Sequence, residues 1–442
     1  MSTLRKLSRR ADALWLGCLA LYLIAGATIV PFHGDESTLM VMGRDYHYIF
    51  VEGDMSKIHF DRHWRNNPSE QQLRILNGTV SKTIYGWLQV INGFRLPDLN
   101  RNWSWGKNYD ANAERGAIPD AELLRQARLA SSLQLALAAA LFFHVVKSTL
   151  NRPTAYVAVT LFALHPNVLI NGRRAMMESS HILGLMLVLI AAVWLIQERR
   201  WWRYLLLGAC AGFAVAAKHP NVTVCALVFL ACSVDPLWQL IRGSEKDRQK
   251  PALDLAGLAI AGMAAGLVFL ILNPAWWGDP LAITPEVIKL RQGLLQEQVN
   301  IFGGYTSFAD QANGLFQYVI ASERQYFEAP NWATYDAIAT QIAVYEQSGL
   351  AGLLFIGSSG RLGLVCLLLA IYGAIHLARN RSVPVEYRLL LLIWIVGSAP
   401  VTLRLNPLPW ARYYLPLLPA VIVLVSYASA TIATAVKQTH RI

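Results

Sequence analysis

Two adjacent carboxylates, Asp35 and Glu36, sit in the tetrapeptide His33-Gly-Asp-Glu36, immediately after a long apolar run. Acidic groups beside a membrane surface are costly to desolvate unless they have partners or chemistry to do. A carboxylate placed there can take a proton from a hydroxyl. A second set of residues could hold an anion: Arg173 and Arg174, Lys218 with His219, and Arg404 with Arg412, each in a short connection between apolar runs. Fixed cations at headgroup depth suit a lipid phosphate, whose tail can stay in the bilayer. The alternative for each cation taken singly is snorkelling to the headgroups. A third set, His59-Phe-Asp-Arg-His63 with His33 and His47 nearby, would offer a metal a histidine pair at i, i+4 only if the segment is helical. No G-x-x-x-x-G-K-[ST] and no G-x-G-x-x-G occurs, so ATP-driven transport and dinucleotide binding have no sequence support.

These groups must be positioned by membrane helices. The chain has 442 residues, of which 55% are hydrophobic and only 15% charged, with a mean hydropathy of +0.35. Soluble domains carry about 25% charged residues, and here the apolar residues gather in span-length runs. A soluble enzyme and a disordered chain are both excluded. The spacing predicts ten spans: 13–32, 129–146, 153–171, 179–196, 204–217, 221–241, 255–272, 362–377, 389–403 and 413–436. The first follows a short basic segment and meets Pro31 rather than a small-residue cleavage site, so it reads as an uncleaved anchor.

The net charge of +11 does not call for nucleic acid. With the N-terminus placed in the cytoplasm, the inward segments collect 18 Lys and Arg against seven acids, and the outward segments collect 21 of each. The whole basic excess is then the positive-inside signal of a plasma (inner) membrane protein with both termini cytoplasmic. Against that background the bases at 173–174, 218 and 404–412 stand on the unexpected face, the one that carries Asp35 and Glu36. The five cysteines all fall within spans and read as packing residues. The pairs Gly208/Gly212 and Gly262/Gly266 read as helix-contact signals.

Two outward segments are long, 33–128 and 273–360, and divide the chain into an N-terminal module over 1–272, the second outer loop, and C-terminal spans over 361–442. In the first, Leu73, Leu76, Val80, Ile84, Trp87, Leu88, Ile91 and Phe94 predict one amphipathic helix ending at Pro97 and lying in the membrane interface. In the second, Thr284-Pro285 predicts a helix start, and the apolar stretch 348–360 reads as re-entrant or interfacial.

The ordered set of features resembles the C-type (GT-C) membrane glycosyltransferases, in particular the protein O-mannosyltransferases and the lipid A aminoarabinose transferases. It consists of the basic N-terminus with one span, Asp35-Glu36 opening a long outer loop, His165-Pro-Asn-Val-Leu-Ile-Asn-Gly-Arg-Arg-Ala-Met-Met-Glu178, Ala217-Lys-His-Pro220, and Ala411-Arg-Tyr-Tyr-Leu-Pro-Leu-Leu-Pro419. The resemblance implies an all-α polytopic membrane protein with about ten transmembrane helices and a polyprenyl-phosphate sugar donor. It further implies a lipid, glycan or protein acceptor outside the cytoplasm, and inversion at the anomeric carbon. By position it makes Asp35 the base. Arg173, Arg174, Glu178 and the Arg412-Tyr413 pair would serve donor phosphate and sugar, with Lys218, His219 and Arg404 as further candidate clamps. Glu36 joins Asp35 as an acid of the catalytic region, expected to orient substrate or pair with an arginine. The resemblance leaves a divalent metal open. The competing class is a transporter or flippase for a lipid-linked or anionic substrate, which would use the same basic cavity. Against it stand the missing repeat, the acidic outer loop and spans nearly free of charge at the midplane.

Topology gives the first test. Reporter tags at either terminus are expected in the cytoplasm and a tag within 100–112 outside. A cytoplasmic signal from 100–112 would overturn the assignment of sides.

Overall fold

The computed structural model describes all residues except 1, 62, 64–67, 245–246, 353–359 and 440–442. The described residues are helical or irregular and include no strand. Helices α1 (Ser2–Ala25), α2 (Gly34–Met42), α3 (Thr79–Ile91), α4 (Ala121–Thr149), α5 (Arg152–Ala163), α6 (Pro166–Arg173), α7 (Glu178–Gln197), α8 (Trp201–Ala217), α9 (Asn221–Arg242), α10 (Gln249–Leu272), α11 (Pro280–Phe302), α12 (Asp336–Gln347), α13 (Gly360–Arg379), α14 (Val385–Leu405) and α15 (Leu418–Thr439) carry the architecture. This is the all-α polytopic fold the sequence predicts.

Among the described residues seven helices are long and apolar enough to cross a membrane: α4, α7, α9, α10, α13, α14 and α15. The predicted single span 153–171 is instead α5 and α6, bent by 60° at a short break. Pro166 causes it: His165 leaves helical geometry and caps α6, its ring accepting the Asn167 N–H at 3.2 Å. Counting that pair as one span makes eight. The other two expected spans correspond to α8, an apolar helix of 17 residues, and α1, which carries Arg9, Arg10 and Asp12 and ends at Ala25, well before Pro31.

The bundle is built around α7. In the most apolar window of α7, 83% is buried inside the protein, against 11% for α10, which faces outward from the bundle. α7 packs on α4, α8 and α9, α1 lies on α4, α9 packs on α14, and α15 packs on α13 and α5. Asp12 anchors α1 by accepting from Lys147 at 2.7 Å, Arg152 at 2.8 Å and the Tyr156 hydroxyl at 2.8 Å. The cysteines are all free and lie within helices.

Three local expectations are corrected. The amphipathic stretch from Leu73 is two helices, Pro68–Leu76 and α3, and α3 stops at Ile91. They part at Asn77-Gly78, where the Gly78 backbone lies so close to α8 that a Cβ would sit 2.0 Å from the Ala217 carbonyl oxygen. α3 also turns Ser81, Lys82, Tyr85 and Gln89 inward, leaving Trp87 and Ile91 exposed. The helix expected to start at Thr284 begins at Pro280, because Asp279 caps it by accepting from Ala282 N–H at 2.9 Å. Residues 59–63 are not helical where described, so the helical i, i+4 arrangement of the histidine pair is not met. Most of the stretch 348–360 lies outside the described residues.

The two glycine pairs behave differently. Gly208 and Gly212 let α8 approach α10 so closely that a Cβ would lie 2.3 Å from Ala261 O and 2.4 Å from Ala265 O. Gly262 and Gly266 face nothing within 4 Å. Gly212→Leu is therefore expected to lower stability by about 1–3 kcal/mol through overpacking, and Gly266→Leu to leave it nearly unchanged. Thermal unfolding of the two variants in detergent checks this.

Candidate functional site

The chain enters α2 through a reciprocal cap. His33 Nδ1 accepts the Asp35 N–H at 3.1 Å, and Glu36 Oε2 accepts the His33 N–H at 3.0 Å. Successive residues on a helix are rotated by about 100°, so the two carboxylates point different ways.

Glu36 turns inward and is fully buried. Arg128 forks onto it, Nε to Oε1 and Nη2 to Oε2, both at 2.8 Å, and the Ala175 N–H donates to Oε1 at 2.8 Å. Burial would raise its pKa, but Arg128 and then Arg174 outweigh that and hold it below the usual carboxylate range. Of the two roles expected for Glu36, pairing with an arginine is the one seen, with Arg128 as the partner, and not one facing substrate: it is an internal anchor joining α2 to α4 and to the start of the 174–177 turn.

Asp35 turns outward, with 26% of its side chain exposed. Arg412 Nη1 donates to Asp35 Oδ2. Arg412 Nε lies 2.8 Å from Glu328 Oε1, close enough to pair though not aligned as a hydrogen bond. The other Glu328 oxygen is 2.8 Å from His33 Nε2, which donates to it. Burial again pushes the Glu328 pKa up, and Arg412 with His33 pulls it well below the usual range. Asp35, Arg412, Glu328 and His33 thus form one closed network drawn from the first long segment, the second, and the turn before α15. Arg412 packs over Trp410 and Tyr413, 5.2 and 5.8 Å from the ring centroids, and Arg291 of α11 lies 5.9 Å from the Tyr413 ring centroid. Burial raises the Tyr413 pKa against the pull of both arginines.

Glu178 opens α7, takes Lys218 Nζ at 2.8 Å on Oε1, and feels the charges of Arg412 and Asp35. Its Oε2 is buried without a hydrogen-bond partner. His219, beside Lys218, packs edge-on against Phe269 and Trp276. Burial, with Lys82 and Arg291 adding to it, pushes its pKa down to about 4, so the ring is neutral at physiological pH. Lys82 and Arg74 both pair with Asp45, at 2.9 and 2.8 Å. Burial opposes them, yet the Asp45 pKa is lowered to about 2.

Arg173 and Arg174 are not gathered at Asp35 with Arg412, and both are engaged by the fold itself. Arg173 donates to the carbonyls of Leu23 at 2.9 Å, Tyr22 at 2.5 Å and Leu350 at 2.5 Å, and to the Tyr345 hydroxyl at 2.7 Å. Arg174 donates to Pro31 O at 3.0 Å and Tyr326 O at 2.8 Å. Both are buried. Arg404 is exposed at the end of α14 and takes no part in the network. Sequence reasoning missed Glu328, Arg128 and Arg291. Glu328 was visible only as an isolated acid between Phe327 and Trp332. Among the described residues no three His, Cys, Asp or Glu converge as a metal site.

With this geometry in hand, the chain can be set beside known proteins. It has the GT-C fold of polytopic membrane glycosyltransferases. Residues 103–278 match the family "dolichyl-phosphate-mannose-protein mannosyltransferase". An oligosaccharyltransferase, AglB of Archaeoglobus fulgidus, solved with an inhibitory peptide and a dolichol-phosphate, is 13% identical at a TM-score of 0.50, covering 98% of this chain and 52% of that one. The S. cerevisiae protein O-mannosyltransferase Pmt1-Pmt2 complex bound to the sugar donor is 13% identical over 59% of this chain and 33% of that one, TM-score 0.41. ArnT from Cupriavidus metallidurans bound to undecaprenyl phosphate is 13% identical over 95% and 77%, TM-score 0.38. The chain thus spans about a third of the yeast protein and about half of the archaeal one. No curated protein matches it by sequence.

Arg173→Ala and Arg174→Ala should each destabilise the fold, by about 3 kcal/mol, since several buried carbonyls lose their donor. Arg404→Ala should stay within about 0.5 kcal/mol of the unaltered protein. Thermal unfolding measures all three. Wild-type stability in the first two would return these arginines to the list of ligand-binding residues.

Proposed function

We propose that the protein is an integral-membrane glycosyltransferase that moves a sugar from a polyprenyl-phosphate donor to an acceptor hydroxyl on the extracytoplasmic face, with both termini in the cytoplasm. The observation that carries this reading is Asp35: a partly exposed carboxylate paired with Arg412, whose other carboxylate neighbour, Glu328, is more deeply enclosed. The GT-C fold and the family match over 103–278 support the reaction class.

In this reading the acceptor hydroxyl lies at Asp35 and the donor phosphate at Arg412. The acceptor oxygen attacks the anomeric carbon from the side opposite the phosphate. Its proton passes to Asp35, and the phosphate leaves with the electron pair of the carbon–oxygen bond, which inverts the centre. Negative charge growing on the phosphate draws the Arg412 guanidinium, because a charge-assisted contact with phosphate competes with one to carboxylate. The move of Arg412 toward the phosphate frees the Asp35 carboxylate to take the acceptor proton. Glu328 tethers the Nε end of Arg412 while its Nη1 exchanges Asp35 for the phosphate, and His33 fixes Asp35 through the backbone. Lys218, paired with Glu178, and Arg291, over Tyr413, line the approach of the anion. Here the fixed positive charge comes from arginine and lysine, and the base is a positioned carboxylate.

Asp35→Asn keeps the shape and leaves Arg412 paired with Glu328, so it should fold. Turnover is expected to drop by at least about 10²-fold with donor binding near normal. Turnover at the normal rate, or a loss explained entirely by donor affinity, would remove Asp35 as the base. Glu36→Gln, by contrast, should lose stability first, because Arg128 is left buried without its counter-charge.

A further inference from the structure

The two long segments meet in an aromatic cluster that abuts His33. Phe32, Trp103, Phe327 and Trp332 form its buried part, Trp103 and Trp332 being 4% and 5% exposed. Trp105 belongs to the same cluster yet keeps 37% of its surface open. It is held on several sides, with ring centroids 5.3 Å from His33, 4.9 Å from Trp332 and 6.4 Å from Trp103. His33 in turn contacts the Asp35 backbone and Glu328. An indole fixed in place is therefore one side chain away from Asp35. The exposed side chains that flank it in the chain are polar: Arg101, Asn102, Lys107, Asn108 and Asp110.

We infer that the acceptor is a glycan and that Trp105 is the platform for the sugar ring that carries the reacting hydroxyl. This rests on the glycosyl transfer proposed above and names its acceptor class. A pyranose presents one face of C–H groups, which fits the electron-rich face of an indole, and an edge of hydroxyls, which fits amides and charged groups at its margin. His33 Nδ1 is 3.9 Å from Asp35 Oδ2 and the His33 ring is 5.3 Å from that of Trp105, so a sugar whose hydroxyl reaches Asp35 has Trp105 within the span of its ring and the next. The polar margin breaks up the apolar surface that an acyl chain would need, and the packed indole requires little ordering on binding.

The test uses the full chain in detergent or nanodiscs, with free manno-, gluco- and N-acetylglucosamine tetrasaccharides as probes, followed by saturation-transfer NMR and by acceptor kinetics. At least one tetrasaccharide should bind the unaltered protein and Asp35→Asn equally. Trp105→Ala should weaken binding and raise the acceptor KM about tenfold with donor affinity unchanged, and Trp105→Phe should recover much of the loss. Failure of every tetrasaccharide to bind, or Trp105→Ala behaving as the unaltered protein, overturns the inference. So does efficient transfer to a peptide or a phospholipid that ignores Trp105→Ala, which would leave the proposed transfer standing. Trp105-dependent saccharide binding without transfer from a polyprenyl-phosphate donor would uphold the platform and overturn the reaction.

Discussion

A single guanidinium shared by two carboxylates sets the terms for the rest of this molecule. Arg412 meets Asp35 and Glu328 at once, in surroundings where an uncompensated charge of either sign would be expensive. The three residues come from the turn before the last helix, the first long segment and the second. Each segment must therefore arrive in register, and the devices around the network serve that end. The cap at His33 fixes the direction of Asp35, the Glu36–Arg128 fork clamps α2 onto α4, and stacking of His33 on Phe327, 5.1 Å between centroids, seats the second segment on the first.

The protein thus separates its buried charges by duty. Arg128, Arg173 and Arg174 satisfy acids and carbonyls that the fold itself leaves open. Arg173 and Arg174 end the short helix α6, where a break in the bundle and two irregular segments bring free carbonyls together. Arginine suits such places because its planar fork reaches several acceptors at once. Arg412 instead pairs with Asp35 directly, while Lys218 pairs with Glu178 and Arg291 lies over the Tyr413 ring.

Much of this was legible in the sequence, and the reasons for the rest are specific. Apolar run length located the helices of the bundle, and the positions of Asp35, Glu178, Lys218 and Arg412 along the chain marked residues that the structure brings together. Charge sidedness could mark Arg173 and Arg174 as unusual but could not tell a phosphate from a backbone carbonyl as their partner. The sequence could not separate Asp35 from Glu36 either, because their division follows from where α2 starts, which the His33 cap decides. Glu328 pairs across more than 290 positions, beyond the reach of any local pattern. The single helix expected after Leu73 failed at Gly78 for a tertiary reason, the close approach of α8.

The clasp around Arg173 also bears on how the chain is made. Two of its acceptors, Tyr22 and Leu23, precede it, while Tyr345 and Leu350 follow by more than 170 residues. During synthesis the ribosome delivers a guanidinium that has only part of its final coordination, and the remainder emerges after several further helices have been inserted. Until then water or lipid headgroups must stand in for the missing carbonyls. The N-terminal half of the bundle is consequently an unfinished body during translation, sealed only when the second long segment folds back across it.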